Sequence, residues 1–199
     1  MIGVAFEVHH ASSRHASPWA LHERLRILFW SITWPLFCQW TPKHFNAWRL
    51  LWLRVFGCKI EGRPFVHQRA RIQMPWHVTL RDASCVGDRA NLYSLGEIEL
   101  ARGSVVGQEA YLCTGTHDFD HPDTPLLTAK ITVGADAFVG ARAFVMPGIR
   151  IGDGAVIGAC SVVTRDLPSW TVSAGNPIRI IRAREIPDVA GRLSAPTDK

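Results

Sequence analysis

Between residues 133 and 168 an aliphatic residue returns at every sixth position. The hexads read VGADAF, VGARAF, VMPGIR, IGDGAV, IGACSV and VTRDLP, led by Val133, Val139, Val145, Ile151, Ile157 and Val163. Their fifth place is small at Ala137, Ala143, Ala155 and Ser161, and large at Ile149. The same beat runs upstream through Ile60, Val66 and Ile72, then Leu80, Val86 and Leu92, then Leu100, Val106 and Leu112. Those upstream groups are separated by eight residues rather than six, so three hexads make one unit of eighteen to twenty residues.

A hexad has room for a strand of a few residues and a turn, about 20 Å at full extension. One aliphatic side chain per hexad points inward, and a small fifth residue lets the chain turn a tight corner. A single unit cannot bury its own apolar side chain, so units must stack. Three hexads per turn predict a triangular parallel β-helix, with three coils from residues 60–112 and two more from 133–168. Parallel edges at the two ends need covers. The helical front end and the tail from Leu167 are available for that.

The beat stops once. After Leu112 the stretch "LCTGTHDFDHPD" (112–123) opens an excursion that lasts until the hexads resume at Val133. His117 stands five residues beyond Leu112, just ahead of "DFDHPDTPLLTAK". The expected geometry puts its imidazole at a coil corner, with a loop over 118–130 leaving the helix directly after it.

Residues 1–58 form a different zone, holding six of the eight tryptophans by residue 52. Residues 1–17 read as polar and loose. "WALHERLRILFWSITWPLFCQW" begins as an amphipathic helix with Leu21, Leu25, Leu28 and Ile32 at helical spacing, and Pro35 interrupts it. In "TPKHFNAWRLLWLRVFG", Thr41 suits an N-cap and Pro42 the first helical position. Phe45, Trp48, Leu51, Trp52 and Val55 share one face, and Gly57 supplies a stop. The apolar run from Ile27 to Trp40 falls short of the roughly 20 residues that a bilayer span requires. Two roles stay open for this hairpin: packing on the body or on another subunit, or peripheral contact with a membrane through residues 19–56.

Net charge is +5, which suits an anionic ligand or surface. The basic residues are dispersed and no nucleic-acid-binding motif is present, so no nucleic-acid partner is expected. Five cysteines stand at 38, 58, 85, 113 and 160 with no CxxC pair. That usage points to a reduced, cytoplasmic setting, at the inner face of the membrane if the hairpin rests there. "MIGVAFEVHH" has no signal-peptide pattern.

The repeat, the histidine-bearing break and the tail "SAGNPIRIIR" (173–182) resemble the hexapeptide-repeat acyltransferases. The segments "WRLLWLRVFGCKI", "MPWHVTLRDASCVGDRANLYSLGEIEL", "AYLCTGTHDFDHPD" and "LPSWTVSAGNP" look like the acetyltransferases named for colanic acid biosynthesis. The resemblance implies a mainly β fold, a left-handed parallel β-helix at 59–185 assembled as a homotrimer, after an extension at 1–58 and before a tail at 186–199. It implies O-acetylation of a sugar or lipid-linked sugar during exopolysaccharide assembly, with acetyl-CoA as co-substrate. His117 would be the general base on the acceptor hydroxyl. The backbone N–H of Ala141 would hold the oxyanion, and Ala141 and Ala159 would meet the pantetheine arm. Thr164, Arg165, Arg179 and Arg182 would lie near the nucleotide end.

One departure stands out. The galactoside and maltose acetyltransferases of the superfamily place an Asn and an Asp on the sugar side, where this chain has Gly87 and Leu95. Its own candidates for the acceptor are Asn91, Tyr93, Glu97 and Asp118, with His121 in either a loop-shaping or a substrate role. No metal is expected: a zinc site of the γ-carbonic-anhydrase kind needs three histidines about one coil apart, and Glu99 and Ala135 stand there instead. A different small hydroxyl acceptor, such as an antibiotic, and a non-catalytic scaffold are the remaining alternatives.

Overall fold

The computed structural model describes residues 5–10 and 17–185, so the tail at 186–199 lies outside it. The hexad leaders stack as the spacing requires. On the first face Ile60 sits against Leu80, Leu80 against Leu100, Leu100 against Val133 and Val133 against Ile151. Val66, Val86, Val106, Val139 and Ile157 make the second ladder. Ile72, Leu92, Leu112, Val145 and Val163 make the third. All rungs are parallel, and the excursion between Leu112 and Val133 leaves the stack unbroken.

The corners explain the small fifth residue. At one edge of the prism Arg89, Glu109, Arg142 and Cys160 take left-handed backbone, with φ between 53° and 59°. Each swings the chain by a sharp angle, and the next residue, Ala90, Ala110, Ala143 or Ser161, is buried beneath the turn. A larger side chain there would have to occupy the core between coils.

Both ends are covered. At the far end the stack continues through a bridge from Ile151 to Leu167 and a rung from Ile157 to Ser173. Strand Thr171–Ala174 then pairs antiparallel with Arg179–Ala183, which ends the parallel stack. At the near end two helices, α1 (Leu21–Phe37) and α2 (Asn46–Val55), supply side chains to the open edge of the first coil. The Asn46 amide donates to the Pro64 carbonyl at 2.8 Å, and its oxygen accepts from the Val66 N–H at 3.0 Å. Trp30 Nε1 donates to the Ile72 carbonyl at 2.7 Å. These bonds pair edge groups that would otherwise be buried without partners.

Arg49 is the central clamp. It is fully buried, and its guanidinium donates to the carbonyls of Val66, Pro42 and Lys43 at 2.8 Å each. It also reaches the Thr41 hydroxyl at 2.9 Å. Burial pushes its pKa below the ordinary arginine value, with the nearby Cys38 thiol acting in the opposite sense. The Thr41 hydroxyl donates to the Cys38 carbonyl and does not cap a helix; a short 3-10 turn, Lys43–Phe45, precedes α2 instead.

The helix α1 differs from expectation in one further respect. Pro35 does not interrupt it, and it runs through to Phe37. The apolar stripes, whose partner the sequence left open, face outward. Leu21, Leu25, Leu28 and Ile32 are exposed, as are Phe45, Trp48, Leu51 and Val55. The buried side is Trp30 and Trp34 on α1 and Arg49, Leu50 and Leu53 on α2. No described helix is long and apolar enough to cross a membrane, and all five cysteines are free.

Replacing Arg49 with Met removes four hydrogen bonds and takes the guanidinium donor from the carbonyls of Val66, Pro42 and Lys43, of which Pro42 keeps the Phe45 N–H. The expected loss is about 2–4 kcal/mol. A thermal melt of the purified variant, read beside wild type, is expected to show a midpoint lower by roughly 5–10 °C.

Candidate functional site

The excursion is an ordered hairpin. It leaves the stack at Thr114, three residues earlier than the spacing suggested. Thr114 is buried; its hydroxyl donates to the Tyr93 carbonyl at 2.6 Å and accepts from the Gly96 N–H at 2.9 Å. From this anchor Gly115–His117 pairs antiparallel with Leu126–Thr128. The other edge of Leu126–Thr128 pairs with Glu7–His9, and His9 Nε2 lies 2.9 Å from the Thr128 hydroxyl. Part of the segment that read as loose is therefore a third strand of the hairpin sheet.

His117 ends its strand and is exposed. Its Nδ1 lies 2.9 Å from the Thr124 carbonyl. A carbonyl oxygen can only accept, so Nδ1 carries the proton and the lone pair of the neutral ring sits on Nε2. The turn that presents Thr124 is fixed by its own bonds. The Asp118 N–H donates to the Pro125 carbonyl at 3.0 Å, and the Asp118 carboxylate accepts from the Asp120 N–H at 3.1 Å. His121 Nδ1 accepts from the Asp123 N–H at 3.2 Å, and the His121 carbonyl accepts from the Thr124 N–H at 2.9 Å. Asp118 and His121 thus shape the turn.

Beside His117 lies a cavity of about 440 Å³. Tyr93, Leu95 and Leu126 line it from the body and the hairpin, and Trp19, Arg24 and Ile27 from the N-terminal zone. Burial raises the Tyr93 phenol above its ordinary value, so the ring stands there as a neutral hydroxyl. The contribution of Trp19 and Arg24 had no signal in the hexad spacing, because both precede the repeat. Trp19 packs on His9 at 5.0 Å between ring centres, which ties the cavity wall to the hairpin sheet.

Other candidates are placed elsewhere. Glu97 lies 3.5 Å from Lys130, in an ion cluster with Glu99, Arg81 and Glu61 that lines a separate cavity. Asn91 projects from the third face, one rung from Arg71 and two residues from Tyr93. Leu95 is buried at the cavity wall. At Gly87 an added Cβ would stand 2.8 Å from the Val106 carbonyl oxygen, so that corner accepts no side chain without movement of the backbone.

Ala141 and Ala159 lie at the corner between the second and third faces, whereas the hairpin leaves the corner between the third and first. The Ala141 carbonyl accepts from the Cys160 N–H at 2.9 Å, and its own N–H donates to no described backbone carbonyl. Thr164 and Arg165 are exposed on the hairpin side, with Arg165 Nη2 3.3 Å from the Ile178 carbonyl. Arg179 and Arg182 are exposed on the final strand. Among the described residues no three His, Cys, Asp or Glu side chains stand close enough to share a metal ion.

Comparison with known proteins places this architecture. Residues 130–165 match the family model for bacterial transferase hexapeptide repeats (six repeats). WcaF of Escherichia coli strain K12, named as a colanic acid biosynthesis acetyltransferase, is 40% identical over 157 residues, covering 79% of this chain and 86% of WcaF. The crystal structure of a maltose O-acetyltransferase from Clostridium difficile 630 superposes with a TM-score of 0.73 at 24% identity, over 84% of this chain and 90% of that one. A hexapeptide-repeat acetyltransferase of Vibrio cholerae complexed with acetyl coenzyme A gives a TM-score of 0.74 at 18% identity, over 86% and 94%. The match to WcaF spans most of both chains, so this chain belongs to the hexapeptide-repeat acetyltransferase family.

Proposed function

We propose that the chain transfers an acetyl group from acetyl-CoA to a hydroxyl of a sugar used in exopolysaccharide assembly, with His117 as general base. The observation that carries this is the Nδ1 contact of His117 with the Thr124 carbonyl at 2.9 Å, which frees Nε2 beside a cavity of sugar-accepting size. Nε2 takes the proton of the acceptor hydroxyl as its oxygen attacks the thioester carbon. The tetrahedral oxyanion then collapses, the carbon–sulfur bond breaks, and the imidazolium returns the proton to the leaving thiolate. The products are the acetyl ester and free coenzyme A.

Ala141 serves as oxyanion donor in this reading, because a backbone N–H with no described carbonyl partner is a fixed dipole that needs no particular side chain. Ala159 lies one coil further along the same corner and would meet the pantetheine arm. Thr164, Arg165, Arg179 and Arg182 are exposed toward the far end, where arginine forks suit the phosphates of coenzyme A. His117 and Ala141 stand at different corners of one prism, separated by a face roughly 15 Å wide on strand geometry. They meet only if the corner of one copy abuts the hairpin of the next, which supports a homotrimer with its sites between subunits. Residues 59–185 are then the transferase body, and 1–58 the segment that completes the acceptor pocket.

The outward stripe of the helical hairpin supports peripheral attachment to the inner face of a membrane. Phe29, Ile32, Trp40 and Trp48 are exposed, with Trp40 at 72%, and Lys43 and Arg54 lie nearby on the same helical zone. Tryptophan with basic neighbours suits the headgroup region.

His117→Ala is expected to lower turnover by roughly 10²–10⁴-fold with acetyl-CoA affinity unchanged. An acetyl-transfer screen over free, nucleotide-linked and lipid-linked sugars reads this. Activity of the variant within tenfold of wild type, or no transfer to any sugar, would overturn the proposal. Trp19→Ala and Arg24→Ala are expected to raise the acceptor KM about tenfold and leave the acetyl-CoA KM alone, a loss of about 1.4 kcal/mol in acceptor binding. Steady-state kinetics with each substrate varied in turn separates the two. In flotation with vesicles of phosphatidylglycerol and phosphatidylethanolamine, wild type should rise with the lipid and Trp40→Ser/Trp48→Ser should not. A change in oligomeric mass with no change in flotation would assign that face to subunit packing.

A further inference from the structure

A second cavity, of about 660 Å³, runs between α1 and the first coils. Ile27, Trp34 and Pro35 form its helix wall, and Arg69, Arg71 and Arg89 the opposite wall. No carboxylate lines it among the described residues. Arg69 is committed to Asp88, with Nε 2.7 Å from Oδ1. Arg89 stands 3.8 Å from Glu109, beyond hydrogen-bond distance, and Arg71 has no carboxylate partner among the described residues. The trench therefore presents Arg71 with no carboxylate partner among the described residues and Arg89 in a long ion pair with Glu109, both facing an apolar helix.

This trench neighbours the His117 cavity, since Ile27 and Gln73 line both. The spacing follows from the sheet. Arg71 pairs with Asn91 on the outer surface of the third face, and Tyr93, which lines the His117 cavity, lies two residues beyond Asn91. One rung and two residues amount to about 8 Å between Cα atoms. That is close to the reach from a sugar hydroxyl across the ring to a substituent at its other side.

We propose that Arg71 and Arg89 form a phosphoryl-binding subsite for the acceptor, so that the sugar enters the His117 cavity with its phosphoester end in the trench. The subsite rests on the reading of His117 as the base, because only that reading makes the neighbouring cavity the acceptor pocket. A guanidinium offers a planar fork of donors that matches phosphate oxygens and stays charged at all working pH values. Two such groups suit an anion of more than one charge.

The test is calorimetric titration of the full chain with inorganic pyrophosphate, in the presence of saturating coenzyme A so that the cofactor's own phosphate contacts are filled. Wild type is expected to bind, and Arg71→Gln/Arg89→Gln to bind at least tenfold more weakly, with coenzyme A affinity unchanged. Pyrophosphate binding that is absent, or equal in the two proteins, overturns the proposal. Two further titrants identify the source of the phosphoester: farnesyl diphosphate in detergent stands for a lipid carrier and uridine diphosphate for a nucleotide sugar. Kinetics add an independent readout. The double variant should lose at least tenfold in kcat/KM for a diphosphate-linked sugar and keep its value for the methyl glycoside of the same sugar. Equal losses on both acceptors would also overturn it. If wild type transfers acetyl to neither acceptor, the transferase reading fails, and the pyrophosphate titration alone decides the subsite.

Discussion

No coil of this protein can exist alone. Each hexad leader is covered only by its counterparts in the coils above and below, and burying such a side chain is worth about 1.5–3 kcal/mol. The stack is stable because that gain repeats along three ladders. Everything else accommodates the repetition. Corners use left-handed residues such as Arg142 because the chain must turn within two or three residues. Buried alanines follow them because the next coil passes directly beneath. The ends are the difficulty, since the outermost coil lacks a neighbour on one side. Arg49 and Asn46 answer it at the near end by giving the first coil side-chain donors and an acceptor in place of another strand.

The same constraint decides where chemistry can sit. An insertion in a face would break a ladder, so the chain departs only at a corner. It does so after Leu112 and returns in register at Ile131, which pairs with Ile98 as if nothing intervened. The hairpin gains rigidity from a third strand and from the buried Thr114 at its root. A histidine held this way has one nitrogen fixed by a backbone carbonyl, and its ring lines a cavity. The stack supplies position, and the excursion supplies the histidine proposed as base.

Much of this was legible in the sequence. Every hexad leader from Ile60 to Val163 faces its predicted neighbour, because a six-residue period with one inward residue leaves no alternative register. The place of His117 in an excursion from the stack was legible from the broken beat. The N-terminal zone was harder. Helical spacing singled out Leu21, Leu25, Leu28 and Ile32 but left open what they face, and the packing is carried instead by Trp30 and Trp34. A buried Arg49 gives no periodic signal, since its place depends on carbonyls supplied by distant turns. The strand Glu7–His9 is too short and polar to stand out, and it exists only because Leu126–Thr128 offers an edge. Glu97, a substrate candidate by its place in the repeat, stands in an ion pair with Lys130, a contact across 33 residues that the spacing did not announce.

The pairing of Glu7–His9 with the hairpin has a temporal side. His9 and Thr128 are 119 residues apart, so a ribosome makes this strand long before its partner emerges. The stack can grow coil by coil from Ile60 as it is synthesised, but the hairpin sheet is completed only when the beginning of the chain returns to it. This early strand is among the last to find its place, and a bulky group inserted next to it would be felt beside His117 rather than at a remote end.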